Sequence, residues 1–421
     1  MNYLEEHTGK FYFPDVPNQK FEGVVTIDYD MKILLTLTDE DICFSGDNKW
    51  LMSSLPHGGY VFHGQLNNGA EISLLGANPT TFVWPEEVMR PIFIIQTLII
   101  GYHFATEDDI SFDNFQFGCT ALSKWLENGT ICTQIDNNFK IIVSGVSSSK
   151  IPEKAYVSFQ FETPQSLRDI REKQYAFVAL IELATGKRQG VYEQSANVDG
   201  KIVRVYGTFS REKEDGFVPT RKMLFIYKDI SDNVDNRLKN WYDFFDKHIT
   251  LVGWYFTLVI GADNKYPTIA TILHLIQFLE GYHRLKNRMP KVSKADKRIW
   301  DKKTKNLLSR RPRFKRDVEF RERVQDLLKH GHRREPSLRS RLCDLTSENP
   351  YFAIPDKLLT SARNIRDGLS HMLVKINKQG NNELSELRKK LTQVVKYCLL
   401  TELLFDEVKK MGLIISEGTY Q

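Results

Sequence analysis

The sequence predicts an α+β chain of more than one domain: a β-rich N-terminal half, sandwich or barrel-like, followed by an all-α helical bundle. Three observations carry this. At 421 residues the chain exceeds what one ordinary core fills. As far as about residue 225, short runs rich in Val, Ile, Leu, Thr and aromatics are separated by turn residues. From about Ser231 the apolar period changes to 3.6.

The strand half begins with "FEGVVTIDYDMKILLTLT", which alternates in part. "GYVFHGQLNNGAEISLLGA" is two apolar runs around "NNGA", a hairpin signal. "ICTQIDNNFKIIVSGV" repeats the pattern with "DNN" as its turn, and "AYVSFQFET" is another alternating run. It leads through "PQS" into a helical pattern, "LRDIREKQYAFVALIELATGK", that stops at Gly186. Residues 1–225 are therefore expected to form the β-rich region, as two modules with a break near 140–155. Residues 226–262 read as a helical connector and 263–421 as the bundle.

In the helical half, "DNVDNRLKNWYDFFDKHITLVGWYFTLVIGA" reads as one or two helices. "YPTIATILHLIQFLEGYHRLKN" opens near Pro267 and puts Ile269, Ile272, Ile276 and Leu279 along one face. "FKRDVEFRERVQDLLKHG" stops at Gly331, and "PDKLLTSARNIRDGLSHMLVKI" forms the next helix. The last is long, with Leu384, Leu387, Leu391, Val394 and Cys398 making a seam, and is expected to end near Gly412.

Composition narrows the function classes. The N-terminus has no basic region followed by an apolar one, so no secretory signal is expected. "PIFIIQTLIIGY" and "ITLVGWYFTLVIGA" fall short of the roughly 20 apolar residues that span a bilayer and read as buried core. The five cysteines show no CxxC spacing, which fits a reducing cytoplasm with neither a disulfide framework nor a zinc site. No metal and no cofactor are expected. Charge is unevenly spread. Residues 284–341 hold 22 Lys and Arg against 7 Asp and Glu, a formal +15, in a chain whose total is +5. The other 363 residues therefore carry −10. One strongly basic segment on an acidic body suits phosphates, and a solvated surface loop is the plain alternative.

Chemistry concentrates in "SARNIRDGLSHMLVKI", from Ser361. Arg366 and His371 are five residues apart, and Asp367 and His371, at i and i+4, share a helical face. Arg363 lies one turn before Asp367. Gly368 sits mid-helix, where glycine costs about 1 kcal/mol relative to alanine and points to a close backbone approach. An amphipathic helix with a stripe of ion pairs explains the same spacing. Elsewhere, Glu280 and Arg284 have i,i+4 spacing and read as a pair, with His283 beside them. "HGHRR" at His330 reads as a solvated turn and "LPHGGY" at Leu55 as a glycine turn.

"RDGLSH" resembles the Arg-x4-His signature of HEPN domains. With "QFLEGYHR", "FRERVQDLL" and "ARNIRDGLSH" on successive bundle helices, the C-terminal half resembles the ApeA-type HEPN domain. The N-terminal half resembles the ApeA N-terminal region through "FEGVVTIDYDMKILLTL", "YVFHGQLNNGAEISLLGA", "ISFDNFQFGCTALSKWL", "SFQFETPQSLRDI" and "RKMLFIYKDI". The arginine is followed here by Asp367, where related sequences more often have Asn. The basic stretch from about Pro290 to Arg313 matches least.

The resemblance implies an anti-phage defence protein that acts by abortive infection. Its N-terminal sensor would meet a phage-derived protein trigger, and its C-terminal domain would be a cytoplasmic, metal-independent endoribonuclease working as a homodimer or higher homo-oligomer. It implies His371 as general acid/base, Arg366 as ligand of the phosphate and transition state, and Asp367 as the residue that orients the histidine. RNA, with tRNA a candidate, would be contacted by Arg363, Arg284, His283, Arg310, Arg311 and Arg313. Two other classes stay open: a non-catalytic nucleic-acid- or protein-binding protein whose bundle only dimerises, and a β-rich ligand-binding module with a helical oligomerisation tail.

Overall fold

The period-2 runs form thirteen strands among the described residues of the computed structural model. Those residues are 3–28, 31–38, 59–80, 91–104, 106, 108–146, 154–207, 218–260, 268–287, 302, 336–347, 349–370 and 381–419. The chain divides into two compact units, residues 1–249 with 400–421, and residues 250–399.

In the first unit, strands β1 (Tyr3–Tyr12), β2 (Phe21–Asp28), β3 (Ile33–Leu37), β4 (Tyr60–Leu66), β5 (Glu71–Pro79) and β6 (Ile92–Ile95) close a barrel in the order β4-β1-β2-β3-β6-β5, with β5 returning to β4. The run "FEGVVTIDYDMKILLTLT" is two strands, paired from Gly23↔Leu37 to Ile27↔Ile33. Met31, at φ 59°, turns the chain, and Asp28 Oδ1 accepts from the Lys32 N–H at 2.8 Å. The "NNGA" hairpin forms as expected, with Gly69 at φ 83° and Gln65 opposite Glu71. Inward alternation fills the barrel with Phe11, Val25, Leu35, Phe62, Ile72, Leu74 and Leu98, all fully buried.

Strand β5 also pairs with β7 (Thr97–Ile100), so the barrel opens into a second sheet. That sheet continues through β13 (Lys201–Gly207), β12 (Val191–Val198), β8 (Ser111–Cys119), β11 (Lys154–Ser166), β10 (Phe139–Val146) and β9 (Ile131–Gln134). The run "PIFIIQTLIIGY" becomes β6 and β7, divided at Gln96. The break expected near 140–155 falls in the β10–β11 hairpin, where one ladder runs from Phe139↔Phe161 to Val146↔Lys154. His63 on β4 and His103 after β7 stack with ring centroids 4.6 Å apart and 2° between planes. Their Nε2 groups donate to the carbonyls of Phe104 (2.8 Å) and Gly64 (2.9 Å) respectively.

Helix α1 (Leu122–Leu126) follows β8 and buries Trp125. Helix α2 (Leu167–Thr185) covers the open sheet. Ser166 caps it by accepting from the Asp169 N–H, and Gly186 ends it at φ 66°. Phe177 on α2 meets Phe117 on β8 at 6.2 Å, ring edge to ring face. A short turn of helix, α3 (Tyr227–Ile230), precedes α4 (Val234–Tyr255), which bends at His248 (φ −134°) and runs into a π turn, Phe256–Ile260. Trp241 on α4 donates its indole N–H to the Ala176 carbonyl of α2 at 2.9 Å.

The second unit holds α5 (Thr268–Lys286), α6 (Leu338–Thr346), α7 (Asp356–Ser370) and most of α8 (Asn381–Glu402). Ile272, Leu275, Ile276 and Leu279 of α5 are fully buried, whereas Ile269 is only half-buried. The α8 seam is as expected: Leu384, Leu387, Leu391, Val394 and Cys398 are all buried. The long final helix is not continuous. It ends at Glu402, Leu404 turns with φ 55°, and α9 (Glu407–Thr419) passes through Gly412. Residues 400–421 group with the first compact unit. There Phe405 packs on Phe225, and the Arg237 guanidinium lies over the Phe405 ring at 4.4 Å while donating to the Leu403 carbonyl. No helix among the described residues is long and apolar enough to cross a membrane.

Candidate functional site

Helix α5 packs against both α6 and α7, and the polar residues of the bundle meet along those contacts. Helix α7 carries the Arg-x4-His signature. Its apolar face is Leu358, Leu359, Ala362 and Ile365, all buried, and this leaves Arg363, Arg366 and Asp367 on the more exposed side. The helix continues through Gly368 to Ser370. His371, the next residue, lies outside the described residues, as do Arg310, Arg311, Arg313, His330 and the expected helix that stops at Gly331.

Arg366 stands between two carboxylates. Its Nε is 3.5 Å from Glu280 Oε2 on α5, and its Nη1 is 3.7 Å from Asp367 Oδ1. Asp367 also receives Arg363, whose Nε is 3.4 Å from Oδ2. The Arg366 side chain is 38 % exposed and that of Glu280 14 %. The other oxygen of Glu280, Oε1, faces Arg341 Nη1 on α6 at 3.6 Å. Arg341 is 3 % exposed and donates its Nε–H to the Pro336 carbonyl at 2.9 Å. A guanidinium so buried needs an opposite charge, because the desolvation of an unmatched ion is costly. Alternating charges therefore run from Arg341 through Glu280, Arg366 and Asp367 to Arg363.

A second pair joins the same two helices one turn along: His283 Nε2 donates to Asp344 Oδ2 at 3.0 Å. His283 is buried, whereas Arg284 is exposed. On its other side α7 is tied to α8. Glu383 accepts from the Ser361 hydroxyl and from Lys357 Nζ (3.2 Å), and these two donors hold its carboxyl below the usual carboxylate range.

The i,i+4 pairing expected of Glu280 with Arg284 is not formed. Glu280 points across the bundle to Arg341 and Arg366, because burial places it on the inter-helix contacts rather than on the exposed side where Arg284 stands. Sequence reading missed Arg341 as a site residue and missed α6 altogether. A signal was present: Ser337 is a good N-cap, its side chain accepts from the Ser340 N–H, and Leu338 and Leu342 follow at helical spacing.

Two family models match the chain. The family model ApeA N-terminal domain 1 matches residues 6–140 and 126–241. The model Apea-like HEPN matches residues 273–409, which take in most of α5 and all of α6 to α8, the motif helix α7 among them. No curated protein and no solved structure matches the chain. HEPN domains are generally associated with ribonuclease activity, and the ApeA type with anti-phage defence. With more than half of its length matched by the N-terminal model and its helical region by the HEPN model, this chain belongs to the ApeA family, an ApeA N-terminal domain joined to an Apea-like HEPN domain.

Proposed function

We propose that the protein is a metal-independent HEPN endoribonuclease that acts in anti-phage defence by abortive infection, cutting host or phage RNA once the N-terminal region meets a phage-derived protein. The observation that carries this reading is the placement of Arg366 and Asp367 together on α7, inside the Apea-like HEPN match, with His371 five residues beyond Arg366.

RNA brings its own nucleophile. The 2′-OH attacks the adjacent phosphorus, the bond to the 5′-oxygen breaks, and a 2′,3′-cyclic phosphate and a 5′-hydroxyl result. His371 takes the proton from the 2′-OH or supplies one to the leaving oxygen, since imidazole titrates near neutral pH. Arg366 holds the scissile phosphate and offsets the charge that grows on the phosphorane. Asp367 orients or steadies the protonated histidine. Residues five apart do not share one face of a helix, so a homodimer that brings two motif helices side by side supplies the full constellation. Gly368 allows the close approach. The +15 segment supplies sequence-independent affinity for the RNA body, and tRNA, whose loops offer unstacked nucleotides, is the substrate class we favour.

The test is cleavage of RNA by the purified full-length protein, with phage protection measured in cells. His371→Ala is expected to abolish both while leaving the circular dichroism spectrum and melting temperature unchanged. Cleavage by this variant at the wild-type rate would overturn the assignment.

A further inference from the structure

Glu280 has no place in the reaction just described, yet its two carboxylate oxygens face two different arginines on two different helices. Its Oε1 meets Arg341 on α6 at 3.6 Å and its Oε2 meets Arg366 on α7 at 3.5 Å. We propose that Glu280 is a positioning residue for Arg366: a partly buried carboxylate, itself fixed by Arg341, that holds the guanidinium at the angle from which it meets the phosphate. The proposal rests on the ribonuclease reading of α7 for its functional consequence, and on geometry alone for the clamp.

Three features make the clamp specific. First, the carboxylate is largely withdrawn from water, so its attraction for a guanidinium is screened less than that of a surface pair. Second, Glu280 is held from behind. Arg341 is 3 % exposed and is anchored by the Pro336 carbonyl, while the His283–Asp344 hydrogen bond one turn along fixes α5 against α6. Third, the contact on Arg366 is at Nε, and the other carboxylate, Asp367, faces Nη1. A flexible arginine confined in this way loses less freedom when substrate binds, which favours the transition state as well as binding.

The experiment compares the wild-type full-length protein with Glu280→Gln, Arg366→Lys, the double variant and His371→Ala. kcat and KM are measured on a labelled RNA. In parallel, the rate at which phenylglyoxal modifies Arg366 is read by mass spectrometry against Arg168, an exposed arginine of the first unit. Glu280→Gln is expected to lower kcat roughly 10- to 100-fold, with KM changed by less than about threefold, because misplacing a catalytic group by an ångström costs on this scale. Arg366 should then be modified several times faster. In the Arg366→Lys background the glutamine should cost almost nothing further, the non-additivity of residues that act through one another.

An unchanged kcat with an unchanged modification rate overturns the proposal, and so does a loss that adds fully in the double variant, which marks a purely structural role. If His371→Ala cuts as fast as wild type, the ribonuclease reading falls, and the modification rate alone decides the clamp. Should Glu280→Gln fail to fold, Glu280→Asp, which keeps the charge on a shorter stem, is read in the same way, with a smaller fall in kcat and a smaller rise in modification.

Discussion

His283 and Asp344 are joined at 3.0 Å one helical turn from the point where Glu280 meets Arg341, so α5 and α6 are stitched by two polar pairs of equal spacing. Such stitching is asymmetric in energy. The paired charges contribute little net stability against an apolar replacement of both, but removing one partner strands the other.

Arg341→Met is accordingly expected to destabilise the bundle by about 2 kcal/mol, since Glu280 keeps only Arg366 and the Pro336 carbonyl loses its donor. Arg339→Met, two residues away, is the control. Arg339 is 62 % exposed, its partner Asp356 is 75 % exposed, and a change within about 0.5 kcal/mol is expected. Denaturant titration of both variants checks the contrast, and equal losses would contradict it.

Cleavage should persist in excess EDTA and leave a 2′,3′-cyclic phosphate or its hydrolysis product, as expected when the 2′-OH is the nucleophile and a histidine moves the proton. End-group analysis of the fragments reads this directly. A 5′-phosphate on the downstream fragment, or rescue of an EDTA-treated enzyme by Mg²⁺, would point to another mechanism.

Replacing Arg310, Arg311 and Arg313 together by Glu should weaken RNA binding and flatten its dependence on salt, because a protein that neutralises fewer phosphates releases fewer counterions. Cutting of a short unstructured oligonucleotide should survive. Affinity measured from low to high salt for both proteins tests this, and equal slopes would return the basic segment to the role of a solvated surface.

The stability of the first unit should rise with pH in the weakly acidic range. Burial holds His63 below its ordinary value, the Phe104 carbonyl opposes that shift, and the neighbouring His103 adds to it. The unfolded chain therefore binds more protons than the folded one below about pH 6.5. This contribution is fully present above that pH and is lost as pH falls through the folded value. His63→Gln removes the titrating group and should give a shallower fall in melting temperature between about pH 7.5 and pH 5. Identical slopes would remove His63 from the account.

Local chemistry made much of this molecule legible. The "NNGA" and "DNN" turns, the Ser166 and Gly186 caps and the α8 seam all follow from residues close in sequence. Closure of the barrel was not legible. It depends on β1 meeting β4 and β3 meeting β6, and alternation says which face is buried without saying which strand lies alongside. The break at Leu404 escaped because a leucine, not a glycine, takes the left-handed turn, while the glycine at 412 stays helical. In the candidate site, spacing marked Arg366 and Asp367, but the partners of Glu280 lie 61 and 86 residues further along the chain. Helical spacing finds only neighbours on the same helix, so it offered Arg284.

The chain enters the bundle unit within α4 and leaves it within α8, since the unit boundaries at 249/250 and 399/400 both fall inside those helices. The unit of residues 250–399 is thus joined to the rest of the chain by two covalent tethers rather than one. A single proteolytic nick at either crossing would not set it loose, and the crossing within α8 is helix, a poor substrate for a protease compared with an exposed loop.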